Sequence, residues 1–576
     1  MAGNGSKASN NASTFATDIK KDMYSSKKNV NILTSLLLSH GIHTAVVCPG
    51  SRNSPIVHNL LETNEITCYP VTDERSAGFI AIGISEAINA PVVVCVTSGS
   101  ALLNLSPAVA EAYYRNIPII IISADRPQQW IGQSDGQTLK QANALKPNVR
   151  KHINISEPRT EEELWYCNRL VNEALNATVS YGGGPVHINV PLSEPLYEYN
   201  ITQLPKERYI FLGTAVSDTD KLELLANELS RASKPLIVIG QLDADVAEAL
   251  SADIAKIHEH YVLLQDNLSS GGNPYAQHLD AVLTRIDNDT TFLPDFIVYI
   301  GGTIVSKRLK QYLRKARGIT SVLIDEHGEV RDVFMNLSWV IQAYPALFVH
   351  LLAAHSKQHK VNNYYQQWLT VRKAVAEQAE SYLPAYSQML AVKLFHTYLY
   401  TYKGKHSLFY ANSSAVRLGN IYSQEYIHVN RGVNGIEGSL SVAVGYSLKA
   451  SEAEQVYCVI GDLSFFYDNN ALWNICSKRL LKVLLLNNGG GGIFYQMKDP
   501  KKSPYCEEYI AASHHTSAEG ICHSYGLQYL SAHNEEELRE QMQRFVTNTE
   551  GAILLEVFTN PNNDAQVMNE YFQCIL

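Results

Sequence analysis

The sequence predicts an α/β protein built of three doubly wound parallel sheets, and three observations lead there. Apolar runs of strand length alternate with helical stretches along most of the chain, as in repeated βαβ units. Two of these units share one length: the strands starting at Val92 and Ile119 are 27 residues apart, as are those starting at Val456 and Val483. A Gly-rich turn into a Pro stop, residues 182–191, and two polar linkers, an irregular one at 194–216 and a helical, Gln- and Tyr-rich one at 355–388, divide the chain into blocks. The expected bodies are residues 29–200, 217–355 and 385–576. Residues 1–28, rich in Ser, Asn, Ala and Lys, read as a disordered leader.

Taken in order, the first body opens with a helix at 31–39, a turn at Gly41, a strand at 45–48 and the loop Pro49-Gly50-Ser51-Arg52-Asn53-Ser54-Pro55. A helix and a short strand follow, and the strand ends in Thr72-Asp73-Glu74-Arg75. The apolar run 92–96 is a strand, Thr97-Ser98-Gly99-Ser100 a turn, and 119–122 the next strand across a helix. The central body alternates again, with helices at 219–232, 246–258 and 307–315 and strands at 236–239, 262–264, 296–300 and 321–324. It lacks the Gly-x-Gly-x-x-Gly fingerprint, so a flavin or nicotinamide is not indicated.

Composition narrows the function classes. A net charge of −9 and 18% charged residues leave no basic stripe for nucleic acid. No apolar run reaches the length of a membrane span, and the N-terminus has no hydrophobic signal core. The nine cysteines form no Cys-x-x-Cys pair, and several sit inside strand-like runs as small core residues; a reducing cytosol is the expected home.

The chemistry concentrates between Val456 and Phe494. An apolar strand ends in Gly461-Asp462-Leu463-Ser464 and turns at once into a helix, which delivers one carboxylate to the mouth of a parallel sheet. The next strand ends in Asn487-Asn488-Gly489-Gly490, so an amide and a backbone carbonyl arrive at the same edge. These are hard oxygen ligands, suited to Mg²⁺ completed by water and phosphate oxygens. Taken alone, Asp462 could equally be a helix N-cap, a common place for Asp; the paired asparagines favour the ligand reading.

Here the sequence resembles the thiamine-diphosphate enzymes, whose hallmark is a Gly-Asp-Gly turn followed one βαβ unit later by Asn-Asn. Leu463 stands in place of the second glycine. The resemblance implies three domains of the thiamine-diphosphate enzyme type: 29–200 binding the pyrimidine, 217–355 central, and 385–576 binding the diphosphate. It implies thiamine diphosphate held through Mg²⁺, or Mn²⁺ in its place, with Asp462, Asn488 and the Gly490 carbonyl as metal ligands. Leu463, Ser464, Gly491, Ile493 and Phe494 would flank the cofactor. Gly435 and Ile436, in Gly432-Val433-Asn434-Gly435-Ile436-Glu437-Gly438, would bend it, although Ile436 could also be a core residue. Glu74 would hydrogen-bond the pyrimidine and so promote the thiazolium ylid; the plainer alternative is a solvated carboxylate paired with Arg75. In this family the site forms between subunits, so a homodimer or homotetramer is expected.

Seven separated strings narrow the resemblance further: Cys48-Pro49-Gly50-Ser51-Arg52, Asp73-Glu74-Arg75, Ala124-Asp125-Arg126-Pro127, Ser306-Lys307-Arg308, Asn412-Ser413-Ser414-Ala415-Val416-Arg417, Asn430-Arg431-Gly432 and Gly461-Asp462-Leu463-Ser464. Together they are similar to the branch of the family that serves menaquinone biosynthesis, over about residues 29–570. That branch decarboxylates 2-oxoglutarate and adds the succinyl carbanion to isochorismate, and must hold several carboxylates. By this resemblance Ser413 and Arg417 would take the distal carboxylate of 2-oxoglutarate. Ser51, Arg52, Arg126, Gln137 and Lys307 would face isochorismate, with Arg431, Phe494 and Met497 near the reacting centre. For any one of these arginines a surface salt bridge is the commoner fate; the ensemble carries the reading. Met497 stands where the family usually has leucine, and Gly136 where an asparagine often precedes Gln137. Another 2-oxo acid decarboxylase or an acetohydroxyacid synthase is the alternative enzyme, and a cofactor-binding protein without turnover the alternative class. His514-His515, a pair of the kind some decarboxylases use, reads as solvated.

Overall fold

Three five- or six-stranded sheets, every pair of neighbours within them parallel, carry the chain. The computed structural model describes residues 23–212, 219–269, 277–356, 361–402, 404–451, 453–473, 481–496 and 502–576. The expected leader falls mostly outside these residues, but its last part is structured. Strand β1 (Tyr24–Ser25) pairs antiparallel with β8 (Tyr199–Ile201), and a helix starts at Lys28. The same pairing corrects the first linker, since β8 lies within 194–216; residues 213–218 are outside the described set.

The first sheet holds β2 (Thr44–Val47), β3 (Thr67–Pro70), β4 (Val92–Val96), β5 (Ile119–Asp125), β6 (Lys151–Asn154) and β7 (Val186–Pro191), in the order β3-β2-β4-β5-β7-β6. Every residue of β2, β4 and β5 is buried, as continuous apolar runs with helices on both faces require. The central sheet runs β10-β9-β11-β12-β13, from β9 (Pro235–Ile239), β10 (Val262–Gln265), β11 (Phe296–Ile300), β12 (Thr320–Asp325) and β13 (Trp339–Gln342). The last runs β14-β15-β16-β18-β17, from β14 (His406–Tyr410), β15 (Gln455–Gly461), β16 (Leu481–Asn487), β17 (Gln528–Ala532) and β18 (Ile553–Phe558). Strands β15 and β16 are neighbours in its middle, and their carboxyl ends carry Gly461-Asp462 and Asn487-Asn488 to one edge. Doubly wound sheets bind ligands at such an edge.

The stretch 355–388 is helical as expected: Asn363–Ser381 is a helix of 19 residues, and it packs closely, with Trp368 1% exposed and the Tyr364 hydroxyl donating to Phe292 O at 3.1 Å. One departure concerns a helix start. Glu74 does not end a strand. It is the first residue of the helix Glu74–Ile88, whose N-cap Asp73 accepts the N–H groups of Arg75 and Ser76.

That helix packs on Ser439–Ser447 of the last domain with their backbones touching. A Cβ placed on Gly83 would lie 2.0 Å from Val442 O, and one on Gly445 2.1 Å from Ile80 O, so only glycine fits this crossing. One apolar cluster accordingly extends from Val46 through Leu236 to Ile575, joining all three domains.

Candidate active site

Asp462 heads the helix Asp462–Asp468 directly after β15, and its carboxylate gathers the facing turn. Oδ2 accepts the N–H of Asn488 at 3.0 Å and of Gly490 at 2.9 Å, and Oδ1 accepts the N–H of Leu463 at 2.7 Å. Asp462 is 3% exposed and Asn488 7% exposed, so the residues expected to bind metal do converge on one buried point. Burial pushes the Asp462 carboxyl above its usual range, against the three N–H donors.

The Asn488 amide is oriented. Its Nδ2 donates to Asp564 Oδ2 at 3.0 Å, and Asp564 also accepts from Gln388 N at 2.9 Å and Thr559 Oγ1 at 2.8 Å. With nitrogen held by that carboxylate, oxygen is the amide atom left to face a cation. Among the described residues no group of three or more His, Cys, Asp or Glu side chains could hold a metal. The donor set here is one carboxylate with neutral amide and carbonyl oxygens, which fits Mg²⁺.

His514 corrects an expectation. Far from being solvated, its Nε2 stands 3.6 Å from Asp462 Oδ2, its ring meets Phe466 edge-on, and its backbone N–H donates to Gly489 O at 2.9 Å. Ser464 is buried beside Asp462, and Gly491, Ile493 and Phe494 follow the Asn488 turn, half-buried. Met497 lies outside the described residues.

Asn412, at the end of β14, organises the loop that bears Arg431, Gly435 and Ile436. Its Nδ2 donates to Asn430 O at 2.7 Å and Gly435 O at 2.8 Å, while its Oδ1 accepts from Arg431 Nη1 at 2.9 Å. Ile436 is 43% exposed and therefore not a core residue of the single chain. Ser413, with φ +70°, heads the helix Ser414–Tyr422, and its carbonyl accepts from Arg417 Nη1 at 3.1 Å. Arg417 lines a cavity of about 140 Å³ between the central and last domains, with Asp280, Ser306, Arg308, Asn420 and Gln496. Lys307, next to that cavity, points from an exposed position at the start of the helix Lys307–Leu313.

Arg52 and Arg126 meet at the edge of the first domain through a residue the sequence reading passed over. Glu194 Oε1 lies 2.9 Å from Arg52 Nη2 and 4.0 Å from Arg126 Nη1. Arg126 also pairs with Asp135 at 3.2 Å and donates to the carbonyl of Gly136 at 3.2 Å, so that glycine contributes through its backbone. Ser51 and Gln137 are exposed close by in sequence.

The Glu74 carboxylate accepts from Asn104 Nδ2 at 3.0 Å, within its own domain. Its neighbours reach the last domain: Asn470 Nδ2 donates to Asp73 Oδ2 at 2.9 Å and Arg75 Nη2 to Tyr467 O at 2.7 Å. The single chain thus gathers the Asp462–Asn488 turn, the Arg431 loop and the arginine pair as separate groups. Among the described residues no hydrogen bond joins Glu74 to the Asp462 turn.

Comparison with known proteins agrees with this layout. Residues 28–145 match the family model of the N-terminal domain of thiamine pyrophosphate enzymes, 213–409 that of their middle domain, and 411–557 that of their C-terminal domain. A 2-succinyl-5-enolpyruvyl-6-hydroxy-3-cyclohexene-1-carboxylate synthase from Bacteroides thetaiotaomicron is 42% identical over 96% of this chain and 99% of its own length. Synthases of the same name from Phocaeicola vulgatus, at 40% identity over 96% and 99%, and Flavobacterium psychrophilum, at 34% over 92% and 96%, are also similar.

Proposed function

Since the chain belongs to the thiamine pyrophosphate enzymes, in the family of the 2-succinyl-5-enolpyruvyl-6-hydroxy-3-cyclohexene-1-carboxylate synthases, we propose that it catalyses that synthesis. The reaction decarboxylates 2-oxoglutarate and joins the remaining four-carbon unit to isochorismate, releasing CO₂, as a carbon–carbon bond-forming transferase of menaquinone biosynthesis. The observation that carries the reading is the Asp462 carboxylate gathering the Asn488–Gly490 turn at the carboxyl edge of the last sheet.

Asp462, the Asn488 amide oxygen and the Gly490 carbonyl would hold Mg²⁺, or Mn²⁺ in its place, which would anchor the diphosphate. Leu463, Ser464, Gly435, Ile436, Gly491, Ile493 and Phe494 cradle the cofactor. Thiamine diphosphate, when bound, supplies the electron sink for decarboxylation; the protein supplies orientation and charge. The Glu74 carboxylate would face the pyrimidine ring and favour its protonated form. Ser413 and Arg417 hold the distal carboxylate of 2-oxoglutarate by a charge-assisted bond. Arg52, Arg126, Lys307, Ser51 and Gln137 receive isochorismate, and Arg431, fixed by Asn412, lies near the reacting carbon.

The working unit is a homo-oligomer in which Glu74 of one copy meets the Asp462 pole of another. Two features support this: the Glu74 carboxylate is bonded to Asn104 of its own domain and not to the Asp462 turn, and large apolar side chains of the first and last domains stand exposed. Ile436 is 43% exposed, Leu103 46%, Tyr467 48% and Trp473 52%.

The test is incubation with 2-oxoglutarate, isochorismate, Mg²⁺ and thiamine diphosphate, followed by mass identification of the product. The expected result is the coupled product, formed only when both substrates are present. CO₂ release from 2-oxoglutarate with isochorismate left unconsumed would favour a simple decarboxylase.

A further inference from the structure

The helix Ser106–Arg115 of the first domain contains a carboxylate for which the reaction gives no use. Glu111 is 3% exposed, and it accepts two consecutive N–H groups of the last domain, Gly432 at 2.9 Å and Val433 at 2.7 Å. These are the peptide units that follow Arg431. The approach leaves no room for a side chain: a Cβ on Gly432 would lie 2.8 Å from Glu111 O and 3.0 Å from its Oε2. One turn along the helix, Arg115 Nη1 reaches Asn430 Oδ1 at 3.4 Å, and its Nη2 pairs with Glu86. Asn412 grips the same loop from the other side, through Asn430 O, Gly435 O and Arg431 Nη1.

Burying a carboxylate is unfavourable, and an apolar side chain could fill the space on the helix at less cost. What an apolar residue could not do is fix two adjacent peptide planes. Those planes set where the Arg431 side chain starts and how Gly435 and Ile436 approach the cofactor. We infer that Glu111 is a positioning residue, reaching from the first domain to preset the Arg431–Ile436 loop of the same chain for catalysis. This rests on the reading of that loop as part of the active site.

Glu111→Gln keeps the shape but turns an NH₂ group toward one of the two N–H donors. In the holoenzyme it is expected to lower kcat roughly 10- to 100-fold, the scale of a small misplacement of a reacting group. Half-saturation by thiamine diphosphate, followed by intrinsic fluorescence, is expected to rise. A Glu111→Gln/Arg431→Lys double variant separates positioning from general damage. If Glu111 acts through Arg431, the double variant loses no more than about threefold beyond Arg431→Lys alone; independent effects multiply. Multiplied losses, or a folded Glu111→Gln with both kcat and cofactor half-saturation within about twofold of wild type, overturn the inference. Should Glu111→Gln fail to fold, Gly432→Ala probes the same contact by the same criteria. Wild-type turnover in Arg431→Lys alone would overturn the underlying reading of the loop, a result distinct from failure of the Glu111 contact.

Discussion

Asn488 can turn either end of its amide toward a cation, and the carboxylate of Asp564 selects the oxygen by holding the nitrogen. Asp564 itself is pushed toward protonation by burial but accepts three donors, so it acts as a fixed support. Residues that orient a metal ligand typically alter affinity about 10- to 100-fold when changed. Asp564→Leu is therefore expected to weaken Mg²⁺-dependent thiamine diphosphate binding by that amount in calorimetry, whereas Asp462→Ala abolishes it. Unchanged Mg²⁺ dependence in Asp564→Leu would show that the amide needs no support. Asp462 and Asn488 were legible in the sequence because each directly follows an apolar strand, and parallel strands bring their carboxyl ends to one edge. Asp564, Glu111, Glu194 and His514 were not. Each reaches its partner across a separation in sequence that no local pattern encodes, and an Asp in the first turn of a helix is ordinary.

Strands were the most legible elements, since 92–96 and 296–300 are bounded as their apolar runs suggested. Strand β13 and the helix Pro345–His355 escaped notice. The helix Asn363–Ser381 was legible as a helix, but its Gln and Tyr content disguised its packing: Tyr364, Trp368, Arg372, Val375 and Ala379 repeat at helical spacing and are all buried. Helix contacts were less legible still, because a glycine such as Gly83 or Gly445 reads as a weak helix residue rather than as a crossing point. Adding a methyl at Gly445 forces Glu74–Ile88 and Ser439–Ser447 apart, and overpacking of this kind costs about 1–3 kcal/mol or more. Gly445→Ala is expected to lower the thermal midpoint by several degrees. Gly520→Ala, whose Cβ would meet nothing within 4 Å, serves as the neutral comparison. Equal midpoints for the two variants would mean that the crossing relaxes freely.

At the scale of the whole molecule, a site shared between copies makes a prediction that a self-contained site does not. Glu74→Gln and Asp462→Ala are each expected to be inactive. Dissociated and reassociated together at equal amounts, they form hybrids with one site free of both changes, and about a quarter of wild-type activity returns if exchange is random. No recovery, with hybrids demonstrated by native mass spectrometry, would place Glu74 and Asp462 of the same chain in one site. The molecule as a whole carries a charge of −9, an unwelcoming field for the anionic substrates proposed for it. Glu194, hung between Arg52 and Arg126, shows how such a field is met locally. An anion arriving there trades places with a tethered one instead of entering an open well of positive potential. Its gain is the difference between two similar ion pairs, so charge lets it in and shape decides whether it stays.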